Sequence, residues 1–132
     1  MTVTFFDRQE ESNSLNNTRI SEKAELVEIL HALKTREPFF CELVGKNGFN
    51  MLLGVGGIVG CAQYSRSDGS SPYMMAVEPG DVETPGYAEF LITDTLTQVP
   101  RHFCIPFESV TLVAVHFLET GERSPLVTWE EI

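Results

Sequence analysis

Three histidines, three cysteines and nineteen carboxylates are the groups in this 132-residue chain that could do chemistry. His31, His102 and His116 lie far apart, and the chain holds no HExxH and no CxxC, so the spacings that bring ligands to one ion are missing. His102 and Cys104 would share a face if they lay on a strand, and the fold could bring them a third ligand; the simpler reading is a histidine beside a core cysteine. Cys41, Cys61 and Cys104 each sit in an apolar run, where a thiolate is disfavoured, so buried free thiols in a reducing compartment are expected. No serine stands in a GxSxG elbow. Gly54 and Gly56 begin a pattern like a dinucleotide fingerprint, but Val59 takes the third glycine's place and a strand, not a helix, follows, so these and Gly57 read as turn or bulge glycines. Paired carboxylates are available by chance among nineteen and indicate nothing alone. No catalytic residue, cofactor or metal is expected.

The charge itself is informative. Nine basic against nineteen acidic residues give a net charge of -10. Such a chain is repelled by nucleic acid and anionic membrane and attracted to basic surfaces. The excess is uneven. From Ser67 to Pro100 the sequence holds Asp68, Glu78, Asp81, Glu83, Glu89 and Asp94 and no lysine or arginine, whereas residues 21–37 set Glu22, Glu25, Glu28 and Glu37 against Lys23, Lys34 and Arg36. A solubilising surface is the plain reading of this stretch. The sharper one is a docking face for a basic partner, with Asp68, Glu78, Asp81, Glu83 and Glu89 at a rim and Tyr73 or Tyr87 as an anchor. That rim forms if the strands at 72–77 and 87–93 are neighbours. Tyr73 and Met75 would then share one side of their strand and Met74 the other. No run approaches the eighteen apolar residues of a membrane span, and MTVTFFDRQEE lacks a basic stretch followed by an apolar one, which points to the cytoplasm.

The elements that position these residues can be read coarsely. Val3, Phe5 and Phe6 suggest a short edge strand, and RQEESNSLNN a polar loop. ISEKAELVEILHALKTREP carries a broad apolar stripe at helical spacing, with Ser21 as N-cap and Pro38 as terminator. Asn47-Gly48 between two apolar runs is a hairpin signal, and residues 39–77 suggest a meander of about four strands. YAEFLIT and HFCIP read as further strands. PFESVTLVAVHFLETG places Val110, Val113, Ala114 and Phe117 at helical spacing with Gly121 as a stop, although its β-branched residues leave strand open. The expected fold is a single α+β domain over 1–132, with an antiparallel sheet of about five to six strands and helices mainly on one face. Trp129, with Leu126 and Val127, is expected to hold the tail against the sheet or the second helix.

The run CIPFESVTLVAVHFLETGERSPLVTWEEI, residues 104–132, resembles the C-terminal signature of the Imm1 family of bacterial immunity proteins: a helix, a T-G-x-R-P-like turn, then tryptophan followed by acid. Phe117, Thr120, Gly121, Arg123, Pro125, Val127, Trp129 and Glu130 stand at the matching positions, and Ser124, between arginine and proline, departs from it. The resemblance covers about residues 21–132. It implies a compact α+β inhibitor, not an enzyme, which binds a cognate toxin domain, often a nuclease or nucleic-acid deaminase. Gly121, Pro125 and Trp129 would then be structural. Blockade of a basic cleft fits the charge. The alternatives are a small acidic adaptor domain or an enzyme with a pocket near His102.

Overall fold

The structure, a computed structural model, describes residues 1–80 and 85–132. Among these the chain runs β1 (Val3–Asp7), β2 (Thr18–Ile20), α1 (Lys23–Leu33), β3 (Phe39–Gly45), β4 (Phe49–Val55), β5 (Val59–Arg66) and β6 (Tyr73–Val77). It continues as β7 (Tyr87–Ile92), β8 (Thr95–Pro100), a 3-10 turn (Arg101–Phe103), β9 (Ile105–Pro106), α2 (Phe107–Thr120) and β10 (Thr128–Glu131). The fold is α+β, and the meander expected over 39–77 is its centre, β3 to β6 pairing antiparallel in chain order. The sheet is larger than expected, with ten strands among the described residues, seven of them in the order β10-β6-β5-β4-β3-β1-β2 and β9 paired to β5. β7 joins β3 through one parallel pair, Phe39 with Leu91, and β8 pairs with β7.

The additional strands are short or polar, so their sequences carry little alternation. β1, expected at an edge, lies between β2 and β3. HFCIP is a strand only at its end: Ile105–Pro106 form β9, paired with β5, while His102 and Phe103 belong to the 3-10 turn and the longer strand is the preceding TLTQVP. That hairpin carries no glycine turn signature, because its turn residues, Thr93 and Asp94, adopt φ of 47° and 64° themselves. Two successive positive φ angles suit the right-handed twist of a hairpin. Outside support holds them: the Thr93 amide donates to the Arg8 carbonyl (3.1 Å), and the Asp94 amide to Gln9 Oε1 (2.8 Å).

Both helices form where the sequence pattern places them. α1 contains the whole apolar stripe but not the expected ends: Glu22, not Ser21, occupies the N-cap, without a side-chain bond, Ser21 meets Thr2 instead, and the helix stops at Leu33, well before Pro38. α2 is helical despite three valines and two threonines because seven of its side chains, Phe107, Val110, Val113, Ala114, Val115, Phe117 and Leu118, are buried. Tertiary burial outweighs a propensity deficit of a few tenths of a kcal/mol per residue. The buried residues of α1 and α2 join strand residues in one large cluster. A second cluster, Phe40, Cys61, Met75, Phe90 and Val99, comes from strands alone and lies beneath β7 and β8. A sheet with helices on one face is therefore too simple a description, because the β7–β8 ribbon covers strand residues that it would leave open.

The tail is a strand. β10 pairs antiparallel with β6, Trp129 opposite Ala76. The half-buried indole meets the Tyr64 ring edge-on at 6.5 Å, and Nε1 donates to the Ser124 carbonyl at 2.8 Å. Ser124, the departure from the family-like turn, is fully buried, and its Oγ accepts the Leu126 amide at 3.1 Å. Val127 is buried, whereas Leu126, expected to pack with it, is 60% exposed, as is the outward-facing Pro125 to a large degree. Gly121 ends α2 with φ 75°, and a Cβ there would lie 2.5 Å from Asn47 Nδ2. At the other end of the chain, the buried Asp7 carboxylate accepts from Arg36 (2.7 Å), Asn13 (3.0 Å) and the amides of Gln9 and Glu10 (both 2.8 Å). Burial alone would raise its pKa, but these donors together outweigh it and hold the carboxyl below the usual range.

Two measurements follow from these contacts. Trp129→Ala removes a half-buried ring and its hydrogen bond, and should lower stability by about 2 kcal/mol in urea denaturation with an unchanged m value. For Asp7 the folded pKa is depressed, so its contribution is complete above the ordinary carboxylate range and disappears as pH falls through the folded value. Asp7→Asn should therefore destabilise the protein at neutral pH, by about 1–3 kcal/mol, and flatten the acid limb of the stability profile. Equal wild-type and variant stability across pH 3–7 would contradict this role.

Candidate functional site

The residues expected at one rim are carried to different places by the strand order. β6 lies between β5 and β10, and β7 is attached to β3 and β8. Strands 72–77 and 87–93 are thus not paired neighbours, because the tail strand occupies the edge of β6 that such pairing would use. Asp68 precedes β6 and Glu78 follows it, at opposite ends of the strand. Asp81 and Glu83 lie outside the described residues.

Each remaining residue has a defined setting. Asp68 is exposed in the β5–β6 turn, where the hydroxyl (2.6 Å) and amide (2.9 Å) of Ser70 donate to Oδ1 and hold its carboxyl below the usual range. Tyr73 is half-buried and its hydroxyl donates to the Gly69 carbonyl. Tyr73 and Met75 share the face of β6 away from the helices: Met75 belongs to the strand-only cluster, while Met74 packs against the helix-containing core. Glu78 is half-buried and accepts the Ser109 hydroxyl at 2.9 Å, beside the first turn of α2. Tyr87 is 59% exposed, and Glu89, two residues along the same strand and on the same side, is exposed as well.

Tyr87 and Glu89 have a neighbour that sequence reading missed. With Pro38, Ile58 and Arg101 they border a shallow depression of about 510 Å³. Ile58 stands at the β4–β5 turn and is 88% exposed. Glu37 and Glu108, both exposed, flank this turn: the Glu37 carbonyl lies against Gly56, and Glu108 follows Phe107, whose amide donates to the Ile58 carbonyl at 3.1 Å. The only sequence signal was an isoleucine set among turn glycines.

A concavity with an almost wholly apolar lining lies elsewhere. A groove of about 460 Å³ runs between β8 and the meander, lined chiefly by Phe40, Leu52, Met75, Val99 and Phe103. Among the described residues no Asp, Glu or His side chain lines it. Cys61 does, and burial pushes its thiol up, as it does for Cys41 and Cys104. His102 lies on the 3-10 turn, so it does not share a strand face with Cys104; its Nε2 is 2.9 Å from Glu130 Oε2. Among the described residues no three His, Cys, Asp or Glu side chains are grouped to hold a metal. The surface offers apolar contact and negative charge, which suit recognition of another macromolecule.

A comparison with curated proteins finds no match to the chain. A family model described as Immunity protein Imm1 matches residues 15–131, from the loop before β2 through the tail strand. The chain belongs to the Imm1 family of immunity proteins.

Proposed function

We propose that this protein binds a cognate bacterial toxin domain that acts on nucleic acid, a nuclease or deaminase, and neutralises it in the cytoplasm of the producing cell by covering its basic active-site cleft. The family assignment supports an inhibitory, protein-binding role. The observation that carries the finer reading is the stretch from Ser67 to Pro100, with six acids and no base, in a chain of net charge -10. An enzyme that acts on nucleic acid presents a positive field to phosphate, and an acidic protein competes for the same field and is drawn to it quickly. Inhibition then requires occlusion only. Of the carboxylates in the stretch, Glu89 presents an exposed side chain beside the exposed Tyr87, and Asp81 and Glu83 precede them in sequence.

The association rate with the cognate toxin domain should fall about tenfold or more from low to high ionic strength. Asp81→Asn combined with Glu83→Gln should slow association and reduce that salt dependence. A flat salt profile for the wild-type protein would overturn the electrostatic reading.

A further inference from the structure

We propose that the β4–β5 turn is the part of this protein that enters the toxin's cleft, with Ile58 as its apolar tip and Tyr87 as a second contact beside it. This rests on the inhibitor reading above and specifies its surface. A turn apex facing water ordinarily carries glycine, asparagine, aspartate or serine. Here it carries a β-branched apolar side chain that is 88% exposed.

The backbone beneath that side chain is fixed. Gly56 has φ 97°, and a Cβ on it would lie 2.7 Å from the Arg36 carbonyl oxygen and 2.9 Å from Pro38 Cα. The Ile58 carbonyl accepts the Phe107 amide at the start of α2, a helix whose N-cap, Pro106, makes no side-chain capping bond. The turn thus serves the fold through its main chain while the Ile58 side chain is left to solvent. A rigid, exposed apolar group loses little conformational entropy on docking, which favours it as an anchor. Tyr87, 59% exposed, borders the same depression.

The charges around the tip indicate what it meets. Glu37, Glu89 and Glu108 are exposed around the turn and Tyr87. Three basic residues share the area, and all are engaged locally: Arg101 Nε donates to the Tyr87 carbonyl (3.3 Å), Lys34 Nζ lies 5.0 Å from the centre of the Phe107 ring, and Arg36 Nη1 donates to the buried Asp7 carboxylate (2.7 Å). An apolar point within a carboxylate-rich border is the complement of a site that receives nucleobases, where aromatic or apolar side chains form the floor and basic groups the walls. The occupant is therefore the nucleic-acid cleft of the toxin domain, with Ile58 against the floor and the carboxylates against the walls.

The test uses the full chain and a catalytically inactive form of the cognate toxin domain. Ile58→Ala should weaken binding about tenfold and Ile58→Arg about a hundredfold or more, with melting temperatures unchanged because the side chain makes so little contact. Leu112→Ala, at a residue 51% exposed on α2, should bind like wild type. A single-stranded oligonucleotide held by the toxin domain should be displaced by the wild-type protein and not by Ile58→Arg. Wild-type protein that fails to bind the toxin domain would overturn the inhibitor reading itself. Wild-type binding that Ile58→Arg leaves intact, or that Leu112→Ala abolishes, or that proceeds without displacing the oligonucleotide, would overturn the surface proposed here and leave that reading standing.

Discussion

The carbonyl of Gly121 accepts two hydrogen bonds from the sheet, from the Tyr64 hydroxyl at 3.0 Å and from Asn47 Nδ2 at 2.9 Å. A helix C-terminus leaves carbonyls without intrahelical partners, and here one of them becomes the fastening point between α2, the β3–β4 turn and β5. Tyr64 extends the fastening further. Its ring stacks on Phe49 at 4.8 Å, meets Phe117 edge-on, and receives the indole of Trp129. Helix, meander and tail therefore converge on one buried phenol. The left-handed conformation that aims the Gly121 carbonyl leaves no room for a side chain at that position.

The consequence of that junction is the tail strand. With Ser124 buried and the indole bonded to its carbonyl, the chain leaves the helix along the edge of β6 and closes it. β10 becomes the new edge, and it carries the exposed Glu130 and Glu131. Charged side chains on an edge discourage uncontrolled strand pairing. By taking that position, the tail also keeps β7 away from β6. This displacement, more than any local feature, separates Asp68 and Tyr73 from Tyr87 and Glu89.

The N-terminal segment does comparable work on the opposite side of the sheet. Asp7 gathers the polar loop of residues 8–16 and Arg36, and the adjoining Arg8 and Gln9 hold the Thr93–Asp94 turn. Through these bonds a loop that looks unstructured in sequence anchors the β7–β8 ribbon, and β7 carries the exposed Tyr87 and Glu89. The surface proposed for interaction is thus positioned by polar contacts made far from it, while the apolar groove beneath β8 belongs to the packing of that ribbon on the sheet.

What the sequence by itself determined was local. Asn47-Gly48 specified the central hairpin because only a few residues tolerate that turn, the spacing of Val110, Val113, Ala114 and Phe117 specified the helical face of α2, and the C-terminal run carried the Imm1 resemblance. The charge count also needed no coordinates. Tertiary structure decided everything that depends on partners distant in the chain. Thr18–Ile20, Thr95–Pro100 and Thr128–Glu131 are strands because another strand supplies their hydrogen bonds, not because their own alternation requires it. Ser124 is structural because the fold buries it. The exposure of Ile58 follows from the packing of its turn's main chain on residues 36–38 and on the start of α2, and the division of the acidic residues between separate places follows from the strand order, which is a property of the assembled sheet and not of any segment within it.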